Sequence, residues 1–116
     1  MKKIFGLAAC IGILVIACSK NSDKTSDTGT VDCSTITTKF SANVSPLVTT
    51  SCAKSGCHAS GSTNGPGALT TYTQIYNNRV AIRAAVASGE MPQDVTFTAT
   101  QKAIITCWID AGAQNN

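Results

Sequence analysis

Seven residues set the terms for this chain: Cys52-Ala53-Lys54-Ser55-Gly56-Cys57-His58. Two thiols stand close together, and the only histidine in 116 residues follows the second directly. Any chemistry that uses both thiols pins the backbone here, so the rest of the fold has to be built around this loop. The length allows one small domain. It leaves no room for a repeat array, a polytopic membrane protein or a pair of catalytic domains. Charged residues make up 13% of the chain, about half the ~25% usual for soluble domains. Eleven serines and sixteen threonines supply surface polarity instead. Nine Lys and Arg are scattered rather than clustered, which excludes the basic footprint of a nucleic-acid binder.

The first stretch reads as an address. Met1-Lys2-Lys3 is a short basic start, and Ile4 to Ala17 is an apolar run of 14 residues. A bilayer span needs ~20 apolar residues, so this run fits a signal peptide over residues 1–17. Val15-Ile16-Ala17-Cys18 resembles a bacterial lipobox, in which the cysteine is acylated and becomes the mature N-terminus. The alternative is an ordinary signal peptide with Cys18 as an incidental thiol. Cys10 would leave with the leader. Removing residues 1–17 takes two lysines with it and lowers the formal net charge from +3 to +1. The basic balance therefore argues for no acidic partner. Residues 18–32 form the expected acylated N-terminus and flexible tether, since Ser19 to Asp32 holds one apolar residue and cannot offset its ordering entropy. Ser19 gives no acidic retention signal, which points to the outer membrane by resemblance to other lipoproteins.

Residues 33–116 then make the domain. Eighty-four residues give a marginal apolar core, so a staple or a cofactor is expected. Patterning predicts an all-α domain of three helices. Phe40, Val44, Leu47 and Val48 fall on one helical face, with Pro46 placing the helix start near Val44 or Ser45. Tyr72 to Ser88 carries Ile75, Val80, Ile82 and Val86, and Gly89 follows as a helix-ending residue. Thr98-Ala99-Thr100-Gln101 has capping-box spacing. After it Ile104, Ile105, Trp108 and Ile109 share a face, and Gly112 ends the helix. Residues 59–68 and 90–97 read as loops. No period-two alternation marks a strand.

The heptapeptide supplies what covalent haem c needs. Each of two thiols can add to a haem vinyl group as a thioether, and the adjacent imidazole can ligate iron from below. Four residues separate the cysteines here, where two is commoner, and Gly56 lets the backbone turn before Cys57. With Leu69-Thr70-Thr71-Tyr72, Gly89-Glu90-Met91-Pro92 and Trp108-Ile109-Asp110-Ala111-Gly112-Ala113, the chain resembles the small single-haem, class I-like cytochrome c domains of bacterial lipoproteins. The resemblance spans residues 40–113. It implies crossed N- and C-terminal helices around one haem, with Cys52 and Cys57 as its attachment points. It also implies His58 as proximal iron ligand and Met91 as distal ligand. The mature chain has no other methionine, and a soft thioether favours ferrous iron. Met91 as a filler of the core is the plainer alternative. In the same family a proline carbonyl often orients the proximal imidazole, and Pro66 would take that part; a simple Pro-Gly turn is the other reading. Trp108 is expected against the haem or the first helix.

Cys33 and Cys107 fall outside the motif and flank the domain. In an exported protein they are expected to form a disulfide. Other uses of the thiols remain open at this point. A Cys52–Cys57 bridge would make a disulfide-stapled secreted binding or adhesion module. Cys33, Cys52, Cys57 and His58 could hold zinc. A redox dithiol would depart from the usual two-residue spacing. No carboxylate pair or Ser/His/acid set supports an enzyme. The sequence thus leads to a membrane-anchored c-type cytochrome of the cell envelope, periplasmic or at the outer membrane. It would carry single electrons between transient redox partners or within a larger oxidoreductase complex.

Overall fold

The computed structural model describes residues 32–116. The expected leader with Cys10, the acylated Cys18 and the tether up to residue 31 lie outside the described residues. The described residues contain helices and no strand, so the domain is all-α. No helix among them is long and apolar enough to cross a membrane.

A single turn at Cys33–Thr35, capped by the Asp32 side chain on the Ser34 amide at 3.0 Å, leads into the domain. The first helical segment has two parts: a π-helical turn at Phe40–Val44 and helix α1 at Ser45–Ser51. Pro46 explains the division. It has no N–H to donate four residues back, and its ring crowds that carbonyl, so the backbone before it widens. The break does not spoil the apolar face, and Phe40, Val44 and Val48 are all buried.

The expected single helix over Tyr72–Ser88 is two: α2 at Tyr72–Asn77 and α3 at Arg79–Ser88. Asn78 makes the break, with φ −103° and ψ 7°. Its Nδ2 donates to the Gln74 carbonyl at 2.9 Å, and Arg79 Nη1 donates to the Tyr76 carbonyl at 2.8 Å. Asparagine commonly competes with the helix in this way. The break resets the register. Ile75 and Val86 point inward, whereas Val80, expected on the apolar face, is 74% exposed. α2 also carries a capping box, Thr71 with Gln74, that resembles the Thr98–Gln101 box of α4 at Ala99–Asp110. Each box satisfies N–H groups that a helix start leaves orphaned.

The core forms where the first segment meets α4. Trp108 and Ile105 are buried beside Phe40, Val44 and Val48. The Phe40 ring lies 5.0 Å from Tyr72 edge-on and 5.5 Å from Trp108. Trp108 thus packs against the first helical turn, one of its two expected places. The chain end clamps this cluster. Trp108 Nε1 donates to the Gln114 carbonyl and Tyr72 Oη to the Ala113 carbonyl, both at 2.9 Å. Asn116 accepts from the amides of Phe40 and Ser41, each at 2.8 Å. Arg83 forks onto Asp110 at 2.6 and 2.8 Å and joins α3 to α4.

Cys33 and Cys107 form a disulfide, with Cα atoms 5.5 Å apart and a sequence separation of 74. It ties the domain's entry to the buried side of α4. A loop of that size implies ~4 kcal/mol in the chain-entropy description. The Cys33→Ser/Cys107→Ser variant is expected to lose about that much in a denaturant titration. A loss below ~1 kcal/mol would assign the domain's stability to its aromatic cluster instead.

Candidate cofactor cleft

One cleft of about 760 Å³ opens between the end of α1, the 59–68 loop, α3 and the 90–97 loop. That volume falls within the ~300–1,000 Å³ common for ligand and cofactor sites. Cys52, Cys57, His58, Pro66 and Met91 all line it. The five residues singled out in sequence for cofactor chemistry, spread over 40 positions, therefore share one wall-to-wall space. Ile82, Val86, Ala81 and Ala84 of α3 supply an apolar side.

Local bonding makes the thiol loop. The amides of Cys52 and Ala53 both donate to the Val48 carbonyl, at 2.8 and 2.9 Å, and end α1. The chain then reverses. Cys57 N donates to Lys54 O and His58 N to Cys52 O, each at 3.0 Å. Gly56 sits in the middle at φ +79°, a conformation that side chains with a Cβ resist. Two polar side chains brace the reversal from outside. Asn64 Nδ2 donates to the carbonyls of Gly56 and Cys57 at 2.9 and 3.3 Å, and Ser62 Oγ also donates to Cys57 O.

His58 is buried, and its Nδ1 lies 2.9 Å from the Gly67 carbonyl oxygen. A carbonyl only accepts, so Nδ1 carries the proton and Nε2 keeps its lone pair. Nε2 has no hydrogen-bond partner, and no sealed side-chain nitrogen or oxygen among the described residues lacks one. Nε2 therefore reaches open space. The acceptor is Gly67 and not Pro66, so of the two readings of Pro66 the second, a plain Pro-Gly turn, is the one the loop shows. Gly67 N donates to Asn64 O and Leu69 N to His58 O, both at 2.9 Å. Between these anchors Gly67, at φ +84°, turns its own carbonyl to the ring. Pro66 remains as cleft lining.

Across the space, the Met91 amide donates to the Ala85 carbonyl at 3.1 Å and hangs its loop from α3. Pro92 is buried behind it. Lys54 Nζ meets Asp94 Oδ2 at 2.7 Å. Sequence reading missed Ser62, Asn64 and Gly67, although Ser, Asn and Gly in a loop do signal side-chain-supported turns. It also missed the Lys54–Asp94 pair, which no local pattern connects.

Cys52 and Cys57 are free thiols. The bridge that the binding-module alternative places between them is not formed. The four-ligand zinc alternative also fails, because Cys33 is spent in the disulfide. Among the described residues no group of three or more His, Cys, Asp or Glu is placed to hold a metal ion by itself. Burial pushes the Cys52 thiol up to about 11, against the opposing pull of the Lys54 charge. The Lys54 hydrogen bond in turn holds the Asp94 carboxyl below its usual range. Comparison with protein-family models, curated proteins and solved structures finds no match for this chain.

A thiol attacks alkylating agents as thiolate. With its proton held up to about 11, Cys52 is expected to resist iodoacetamide at neutral pH in protein whose thiols are unmodified. Its labelling should climb steeply only as the pH nears that value. Peptide mass spectrometry across a pH series reads this directly. Labelling at pH 7 as fast as that of an unfolded control would mean that the Cys52 wall is not packed as described.

Proposed function

We propose that this chain is a membrane-anchored c-type cytochrome that carries single electrons in the cell envelope. One observation carries the reading: Cys52, Cys57, His58 and Met91 line the same cleft. When bound, haem c supplies an iron that accepts one electron from a donor and passes it to an acceptor. A porphyrin brings four nitrogen ligands of its own, so the protein needs only axial donors.

The chain's residues have distinct parts. Cys52 and Cys57 would hold the cofactor through thioether links to its two vinyl groups. His58 offers Nε2 because Gly67 holds the proton on Nδ1. That bond also sets the ring plane and raises the basicity of the donor nitrogen. Met91 offers a thioether from the opposite loop and favours the reduced state. Ile82, Ala81 and Ala84 would offer apolar surface to the cofactor and help keep water from it. The approach of the first helical segment to α4 at Phe40 and Trp108 fits a cytochrome c-like arrangement of terminal helices. The Cys18 anchor and the tether would keep the domain near the membrane, in the periplasm or at the outer membrane. Partners would be transient redox proteins or a larger oxidoreductase complex, with no role for nucleic acid.

Two measurements test the reading. On a denaturing gel of protein from its native host, the band should stain for haem, and a pyridine haemochrome spectrum should report thioether-linked haem. A haem-free band beside a stained control cytochrome would overturn the proposal and leave a binding module stapled by Cys33–Cys107. In the Met91→Ala holoprotein, the thioether-to-iron charge-transfer band should vanish. The potential should drop by on the order of 0.1 V, within the ~0.8 V span that axial ligation covers. An unchanged band and potential would remove Met91 from the iron.

A further inference from the structure

We infer that Lys54 and Asp94 form a latch that holds the methionine loop over the cleft, making both positioning residues for Met91. The inference rests on the haem reading proposed above. Lys54 sits between the two cysteines, and Asp94 follows Met91 by three positions. Their 2.7 Å bond is the single hydrogen bond or ion pair that joins the 52–58 loop to the 90–97 loop among the described residues.

The two walls of the cleft are held unequally. The His58 wall is cross-braced by Ser62, Asn64 and Gly67. The Met91 wall is anchored by the Met91 amide on the Ala85 carbonyl and by buried Pro92 and Phe97, while residues 93–96 are exposed. Only Asp94 in that stretch reaches another element through a polar bond. Its partner stands on the loop that carries both thiols, so the latch sets one ligand wall relative to the other. Both side chains are partly exposed, 35% for Lys54 and 48% for Asp94. Such a pair is weak and screened by salt. A weak latch suits a loop that must stay closed most of the time without being sealed.

The test is displacement of Met91 by free imidazole in the oxidised holoprotein, followed by loss of the thioether-to-iron band. An imidazole molecule competes only when the loop lifts, so its apparent affinity reports the open fraction. At low salt, Asp94→Asn and Lys54→Gln should each raise that affinity by about two- to fivefold, the range an exposed pair supports. The exchanged pair Lys54→Asp/Asp94→Lys should restore the original value. Added salt should raise the affinity of the unaltered protein toward that of the single variants and leave theirs nearly unchanged. Amide hydrogen exchange over residues 93–96 should quicken in the same variants. Affinities that stay equal at low salt, or an exchanged pair that behaves like the single variants, would overturn the latch while the haem reading stands. Absence of covalent haem from the unaltered protein would overturn both, and the haemochrome spectrum on the same sample separates the two cases.

Discussion

The bond from His58 Nδ1 to the Gly67 carbonyl governs the cleft. It decides which ring nitrogen bears the proton, and so which one is left to act as a donor. It also determines where the 59–68 loop lies, because Gly67 has to bring its carbonyl to a ring that is already buried. The turn from Asn64, the Leu69 amide on His58 O and the Asn64 brace on the thiol loop all converge on that placement. Removing the carbonyl would leave a buried N–H without a partner, at a cost of about 1–3 kcal/mol. The ring orientation and the loop path are thus one constraint seen from two sides.

The domain that supports this cleft is small, and its stability is concentrated in the core that adjoins it. Phe40, Tyr72 and Trp108 pack together, the last residues cap the first helical turn, and the Cys33–Cys107 bridge closes most of the domain. The cleft takes volume that a domain of this size would otherwise fill with side chains. A space of about 760 Å³ beside so short a core leaves apolar surface of Ile82, Ala81 and Ala84 facing an opening. A flat apolar cofactor would cover that surface, and its binding would then add to folding stability by mass action. The aromatic cluster and the disulfide hold the frame, and the cofactor would complete the wall.

Much of this was legible in the sequence, and the reasons are local. The helix over residues 99–110 announced itself by a capping box and an apolar stripe, both of which depend on contacts within four residues. The cleft residues were legible because thiol, imidazole and thioether are scarce in this chain, so chemistry singled them out without any geometry. The failures share a cause as well. Asn78 breaks a helix through side-chain bonds that compete with a continuous apolar pattern, and the pattern alone reads straight through it. Gly67 rather than Pro66 meets the His58 ring because the left-handed backbone at Gly67 turns its carbonyl inward, and which carbonyl a turn presents is not written in residue type. The pairing of Lys54 with Asp94 joins residues 40 apart, and no periodicity carries that information.

The contrast between the two walls has a consequence for how such a site would work. A donor held by several interlocking hydrogen bonds can leave its place only if all of them open together. A donor on a loop fixed by one backbone bond to α3, two buried residues and one exposed ion pair has fewer bonds to break. In the proposed cytochrome His58 would therefore be the more firmly held ligand and Met91 the more readily exchanged one. The distinction follows from where the polar bonds sit rather than from the affinity of either donor for iron. The thioether is the softer ligand and binds ferric iron less firmly. Weak anchorage of its loop and weak ligation of the oxidised metal act in the same direction.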